Sequence, residues 1–259
     1  MLVRGTPKFR KIFIRLLTLN ILFVIAARIL FIIPSSPLAN VKAFNSIFFG
    51  RQLSDSIYSY AAGTPVVFVN SYTQASLYQY YHPLESTTSY NTIPNRRNYF
   101  NLSGDEEKLN SKNVMIATGY EFGNRVASIK GFSDPMYIYR LDSFKSVNGL
   151  KLEWLNPIKK LKAASQINIR ITLSNIAAYA VAGNKLYINY SFIKTRKEFQ
   201  SSSDPVSITD QVLSPGYKKE FAINLKMPIA PGSYRLIFSI LQSPFAGTFA
   251  SPFYDVDVD

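Results

Sequence analysis

Hydrophobic and polar positions alternate in three different ways along this chain. Ile12–Ile33, IFIRLLTLNILFVIAARILFII, is nearly continuous apolar sequence, and Pro34 ends it. As a helix rising ~1.5 Å per residue it reaches roughly 33 Å, enough for a bilayer core. Over Val41–Ala62 the apolar positions Phe44, Ile47, Phe48, Leu53, Ile57 and Tyr60 recur at helical spacing, and Gly63 stands as a C-cap. Pro65–Asn70 reads as a short, fully buried strand and Thr73–Tyr81 as a helix stopped by Pro83. Asn113–Thr118 and Met136–Leu141 supply two more apolar strands. After Trp154 the period becomes two, in Gln166–Leu173, Lys185–Phe192, Val206–Ile208, Tyr217–Leu225, Gly232–Ile240 and Phe253–Val258.

The predicted architecture is therefore α/β plus all-β. A basic arm and transmembrane helix occupy 1–34, and a small α/β domain occupies 41–145. An immunoglobulin-like antiparallel β-sandwich occupies 150–259.

Charge sharpens the first segment. The chain has a net charge of +13, and residues 1–33 hold Arg4, Lys8, Arg10, Lys11, Arg15 and Arg28 with no acid. This placement predicts a single-pass anchor with a cytoplasmic amino terminus and the later domains outside the cytoplasm. The competing reading is a cleaved signal peptide, for which the run is long and Ser36-Pro37-Leu38-Ala39 a poor cleavage site. Arg28 reads either as snorkelling to the far headgroups or as facing a partner or lipid phosphate. No nucleic-acid-binding motif accompanies the basic charge.

Composition excludes much chemistry. There is no cysteine, so no disulfide, thiolate nucleophile or cysteine-ligated metal, and His82 is the only histidine. No HExxH, GxSxG, Walker or EF-hand pattern occurs, and nothing calls for a metal or cofactor. Asp105-Glu106-Glu107 reads as a solvated helix start, and Asp255, Asp257 and Asp259 as the polar face of a terminal strand. The candidate ligand residues are Asn70, Ser71, Tyr72, Ser76, Tyr78, Arg96 and Arg97. The first of these lie just past the carboxyl end of a buried strand, where open α/β sheets bind ligands. A helix amino terminus there favours an anion, the arginine forks suit phosphate, and the tyrosines suit sugars or headgroups. The same residues read equally as a helix cap, core filling and local ion pairs.

Two stretches carry a family resemblance. Pro65–Tyr81, PVVFVNSYTQASLYQYY, and Asn95-Arg96-Arg97-Asn98-Tyr99 resemble the soluble tail of bacterial GT-C membrane glycosyltransferases. These are the dolichyl-phosphate-mannose protein mannosyltransferase and aminoarabinose transferase type, with Asn70-Ser71-Tyr72, Ala75-Ser76-Leu77-Tyr78 and Arg96-Arg97 as the matching motifs. The resemblance covers about residues 12–145. It implies an inner-membrane protein with periplasmic domains. Its function would be that of a C-terminal module of a polyprenyl-phosphate-sugar-dependent glycosyltransferase, helping to bind the lipid-phosphate donor or the acceptor. Its partners would be the bilayer, a multi-spanning transferase subunit and the polyprenyl-phosphate sugar.

Family members have about a dozen transmembrane helices and a catalytic acid in the first extracytoplasmic loop. This chain offers one apolar helix and no such loop, so no catalytic residue carries over. A basic segment running straight into that helix fits the last loop and last helix of a longer transferase. The alternative is a stand-alone, membrane-anchored glycan- or protein-binding envelope protein.

Overall fold

The computed structural model describes residues 7–32, 45–93, 99–101, 103–130, 134–195 and 198–259. Helix α1 (Pro7–Ile32) contains a stretch, Lys11–Leu30, long and apolar enough to cross a membrane. Its large apolar side chains find little cover among the described residues, with Leu19 and Phe23 about two-thirds exposed. The body is β-rich, with α2 (Asn45–Ala61) and α3 (Tyr72–Tyr81) as its helices of more than one turn among the described residues.

The first sheet contains β1 (Val66–Val69), β2 (Thr87–Tyr90), β3 (Val114–Thr118), β4 (Ala127–Lys130) and β5 (Pro135–Leu141), in the order β2-β1-β3-β5-β4. β1 pairs in parallel with β2 and β3, while β5 is antiparallel to β3 and β4. β1 is buried at all four positions because both faces of the sheet are covered. Val66, Phe68, Met115, Ala117 and Ile138 pack against Leu53, Ile57 and Ala61 of α2 and Ala75 and Tyr78 of α3. His82 ties these helices together, stacked on Tyr58 at 4.4 Å with Nε2 3.2 Å from Asp55 Oδ1. β2 was not predicted: Thr87-Thr88-Ser89 is polar yet buried, with the Thr87 hydroxyl donating to the Val66 carbonyl.

The remaining strands are β6 (Leu150–Trp154), β7 (Lys160–Leu161), β8 (Gln166–Asn175), β9 (Val181–Ala182), β10 (Leu186–Ile193) and β11 (Phe199–Ser201), then β12 (Val206–Ser207), β13 (Val212–Leu213), β14 (Lys218–Lys226), β15 (Gly232–Gln242), β16 (Thr248–Phe249) and β17 (Tyr254–Val258). One sheet runs β14-β8-β6 and the facing sheet β11-β10-β15-β17-β7, with β9 and β13 paired separately. Inward positions such as Ile171, Leu173, Ile188, Leu236 and Phe238 fill the space between the sheets. Trp154 is buried against Phe238 and Tyr254, and the Tyr234 hydroxyl donates to the Ala230 carbonyl at 2.7 Å. Asp255, Asp257 and Asp259 alternate outward as the pattern predicted.

One apolar cluster runs through both parts of the body. Val67, Val69, Tyr90, Val114, Ile116 and Tyr139, on the second face of the first sheet, join Phe144, Leu150 and the sandwich interior. The seam is marked by Phe245, whose ring lies 4.9 Å from Tyr90 and 6.1 Å from Phe122. Hydrogen bonds close it: Lys145 N donates to Gln242 Oε1, and Gln242 Nε2 donates to the Lys145 carbonyl. Glu106, in the acid triplet that the sequence presents as solvated, is buried here instead. Its Oε1 accepts from Val147 N at 2.8 Å, Asn148 N at 3.3 Å and the Ser146 hydroxyl at 3.3 Å.

Candidate ligand-binding cleft

The strand order creates a natural cleft. β1 leads through α3 to β2 on one side, while β3 lies on the other, so the connections diverge between the carboxyl ends of β1 and β3. Such a switch point is where open α/β sheets leave room for a ligand. A cleft of about 370 Å³ occupies it. One wall is the turn after β1, with Asn70, Ser71 and Gln74; the other combines Gly119 and Tyr120 after β3 with Asp134–Met136 at the start of β5.

Asn70 shapes the first wall. Its φ of +59° is left-handed, a conformation asparagine tolerates better than most residues. Its side chain clamps the segment after β2: Thr92 N donates to Asn70 Oδ1 and Asn70 Nδ2 donates to Thr92 Oγ1, each at 2.8 Å. Thr92 in turn bridges to Thr248 of the sandwich. Asn70 is thus a positioning residue that fixes the cleft wall to both parts of the body. Asn70→Ala should cost roughly 1–2 kcal/mol through lost hydrogen bonds and backbone strain, whereas Asn70→Gly recovers the backbone share. Guanidinium unfolding of the full chain in detergent measures the difference, and equal losses would assign the whole effect to the side chain.

Ser71 precedes α3 without a side-chain capping bond and is among the residues that line the cleft. The first helical N–H with a backbone partner is that of Ala75, donating to the Ser71 carbonyl. The amides of Tyr72, Thr73 and Gln74 therefore open toward the cleft end of the helix. On the other wall Tyr120 is 58% exposed, and its loop is held by Tyr139, whose hydroxyl accepts from Phe122 N at 2.8 Å.

The predicted site residues separate. Asn70 and Ser71 line the cleft. Tyr72 and Ser76 are exposed on the outer face of α3, one turn apart and outside the cleft. Tyr78 is a correction: it is wholly buried against Phe68 and His82, because position 78 falls on the inward stripe with Ala75. Burial, with Glu85 and Tyr58 adding to it, pushes its phenol above the ordinary value. Arg96 and Arg97 lie outside the described residues. Gln74, Tyr120 and Asp134 were missed. Gln74 stands in the same stretch as Asn70-Ser71, Tyr120 in the glycine-bounded turn after the Asn113–Thr118 strand, and Asp134 joins the site through sheet order alone. Among the described residues no group of His, Asp and Glu could hold a metal ion.

No protein-family profile and no curated protein matches this chain. Local likenesses exist to solved structures. The CARDB domain of a Pyrococcus furiosus protein is 14% identical, with 42% of this chain and 94% of that one covered and a TM-score of 0.30. The sporulation control protein Spo0M of Bacillus subtilis is 9% identical over 43% of this chain and 49% of its own, with a TM-score of 0.29. A β-glucosidase from Listeria innocua in complex with glucose is 17% identical over 45% of this chain and 16% of its own, with a TM-score of 0.27. At these values they carry no functional information.

Proposed function

We propose that this chain is a membrane-anchored module of a bacterial polyprenyl-phosphate-sugar-dependent glycosyltransferase. It holds the sugar end of the donor or acceptor and leaves the bond-breaking step to a multi-spanning partner. In this reading α1 crosses the inner membrane with its amino terminus in the cytoplasm, and the β-rich body lies in the periplasm. The basic residues around α1 support that orientation.

The observation that carries the reading is the cleft at the β1/β3 switch point, built by the same Asn70-Ser71 motif that resembles the transferase tail. Its lining combines a hydroxyl, an amide, a carboxylate and an exposed aromatic ring, from Ser71, Gln74, Asp134 and Tyr120. Planar polar groups beside an aromatic face suit the hydroxyls and C–H face of a sugar ring. Asp134 on the far wall disfavours placing the phosphate deep in the cleft, so the sugar enters and the phosphate stays outside.

The second half we read as an immunoglobulin-like sandwich. The strand order β14-β8-β6 facing β11-β10-β15-β17 supports that reading. The Tyr234–Ala230 hydrogen bond at the start of β15 corresponds to a tyrosine corner. The alternative function, a stand-alone glycan-binding envelope protein, is favoured by one observation: the cleft lining needs no partner chain to present its polar groups.

Co-purification separates the two. The full chain extracted in mild detergent from its native membranes should retain a multi-spanning transferase, identified by mass spectrometry. Recovery of the chain alone, still able to bind sugar, would favour the stand-alone reading. Within the cleft, Gln74→Ala should weaken sugar binding about tenfold, as expected for one lost hydrogen bond of ~1.4 kcal/mol. Tyr80→Ala, on the exposed face of α3, should leave it unchanged, and equal effects of the two would remove the cleft from the account.

A further inference from the structure

The strands of the first sheet end on two opposite sides of the body, and α1 joins the body on only one of them. Helices α2 and α3 lie side by side and run the same way. Gly50 of α2 stands against Leu77 of α3, so closely that a Cβ at position 50 would lie 3.2 Å from Leu77 Cδ1. Further along, Asp55 and Tyr58 of α2 meet His82 at the end of α3. Counted back by equal rise, the start of α2 at Asn45 is level with the start of α3 at Tyr72. That is the cleft end of the sheet, because α3 begins directly after β1.

Helix α1 reaches Asn45 through residues 33–44, at most roughly 45 Å of extended chain, and touches α2. The contact is local, since the side chains of Lys11–Leu30 stay uncovered and α1 does not lie along the body. The end of α1 therefore stands at the cleft end of the sheet. Leu84 and the start of β2 at Thr87, which pairs with Val66, mark the opposite end.

The cleft end also carries side chains that a headgroup layer favours. Tyr72, next to the cleft residue Ser71, and Tyr120, on the facing wall, are each 58% exposed. Lys130, opposite Pro135 in the β4–β5 register, adds an exposed cation at the same end. Tyrosine partitions to the membrane–water interface, and lysine is drawn to lipid phosphate. Exposed apolar side chains alone do not choose the end, because Tyr80 and Leu84 are exposed toward the other. The connection to α1 does.

We propose that this end of the body rests on the headgroup layer of the bilayer crossed by α1, with the cleft opening at the membrane surface. The proposal rests on the reading of α1 as a membrane span and does not require the cleft to bind sugar. Its consequence is a ligand class: an amphiphile whose polar head enters the cleft while its apolar tail stays in the bilayer.

The chain has no cysteine, so single labelling sites can be introduced cleanly. The full chain carrying Thr73→Cys or Leu84→Cys, both at exposed positions, is labelled with the fluorophore NBD and reconstituted in phosphatidylcholine–phosphatidylglycerol vesicles. Quenching by a lipid spin-labelled at its headgroup should be about threefold stronger for the Thr73→Cys chain than for the Leu84→Cys chain. Adding Tyr72→Ser and Tyr120→Ser should lower the quenching of the Thr73→Cys chain about twofold, whereas adding Tyr80→Ser should leave it unchanged. Two failures are distinguishable. Release of the labelled chain by an alkaline carbonate wash would remove the anchor, and the proposal with it. A retained chain quenched equally at both positions, or more strongly in Leu84→Cys, would overturn the proposal and leave the anchor standing.

Discussion

Phe245→Ala should destabilise the whole body by roughly 3–5 kcal/mol, the usual cost of emptying a buried phenylalanine site. The ring is 4% exposed and lies where the α/β sheet meets the sandwich, against Tyr90 and Phe122. No local collapse can refill that volume, because its walls come from β2, from the loop after β3 and from the sandwich. The shared cluster makes a second demand. Trp154, the only tryptophan, reports on the sandwich, whereas far-ultraviolet circular dichroism reports on the helices against the first sheet. In guanidinium titrations of the full chain in detergent, both signals from the body should shift together in Phe245→Ala. Separation of the transitions, with Trp154 retaining its wild-type midpoint, would show two independent cores.

The second large effect concerns pH. Burial pushes the Glu106 carboxyl up from 4.5 to about 7, against the lowering influence of hydrogen bonds from Val147, Asn148 and Ser146. Between these values the folded chain keeps a proton that the unfolded chain releases. Stability should therefore fall as pH rises from about 4.5 to 7, by about 3 kcal/mol, and level off above that range. Asp204 and Asp210, held low by Lys226 and Lys219, lose their stabilising effect only below the ordinary carboxylate value and do not obscure this window. Glu106→Gln preserves an acceptor for all three donors while removing the charge. It should flatten the pH dependence and raise stability at pH 8 relative to wild type. Parallel stability curves for wild type and Glu106→Gln between pH 5 and 8 would refute the assignment.

Glu106 also illustrates why part of the molecule was illegible in its sequence. An Asp-Glu-Glu run before Lys108 has the composition of a solvated helix start. Only the return of Ser146–Asn148 in three dimensions turns its middle member inward. β1 was readable because Val66-Val67-Phe68-Val69 is apolar on both faces, which a doubly covered parallel strand requires. β2 was not, because its buried residues Thr87, Thr88 and Ser89 leave no hydrophobic trace; the Thr87 hydroxyl is spent on the Val66 carbonyl and that of Ser89 on Asn91 Oδ1. Among the tyrosines, the helical period carried the answer for Tyr78, which shares the inward stripe of Ala75, although its neighbours Tyr80 and Tyr81 face outward or partly so. The cleft was half legible. The end of β1 announces itself, but Tyr120 and Asp134 join it through the β2-β1-β3-β5 order, which no local pattern encodes.

The claim that this cleft holds a polyprenyl-linked sugar is tested most directly by hydrogen–deuterium exchange. The full chain in detergent micelles would be compared with and without short-chain polyprenyl-phosphate mannose. The amides of Tyr72, Thr73 and Gln74 open onto the cleft end of α3, and those of Gly119 and Tyr120 lie across from it. The account predicts slower exchange at both walls on ligand addition, lost in Gln74→Ala. Unchanged exchange at both walls under saturating ligand, or protection confined to the sandwich, would contradict it.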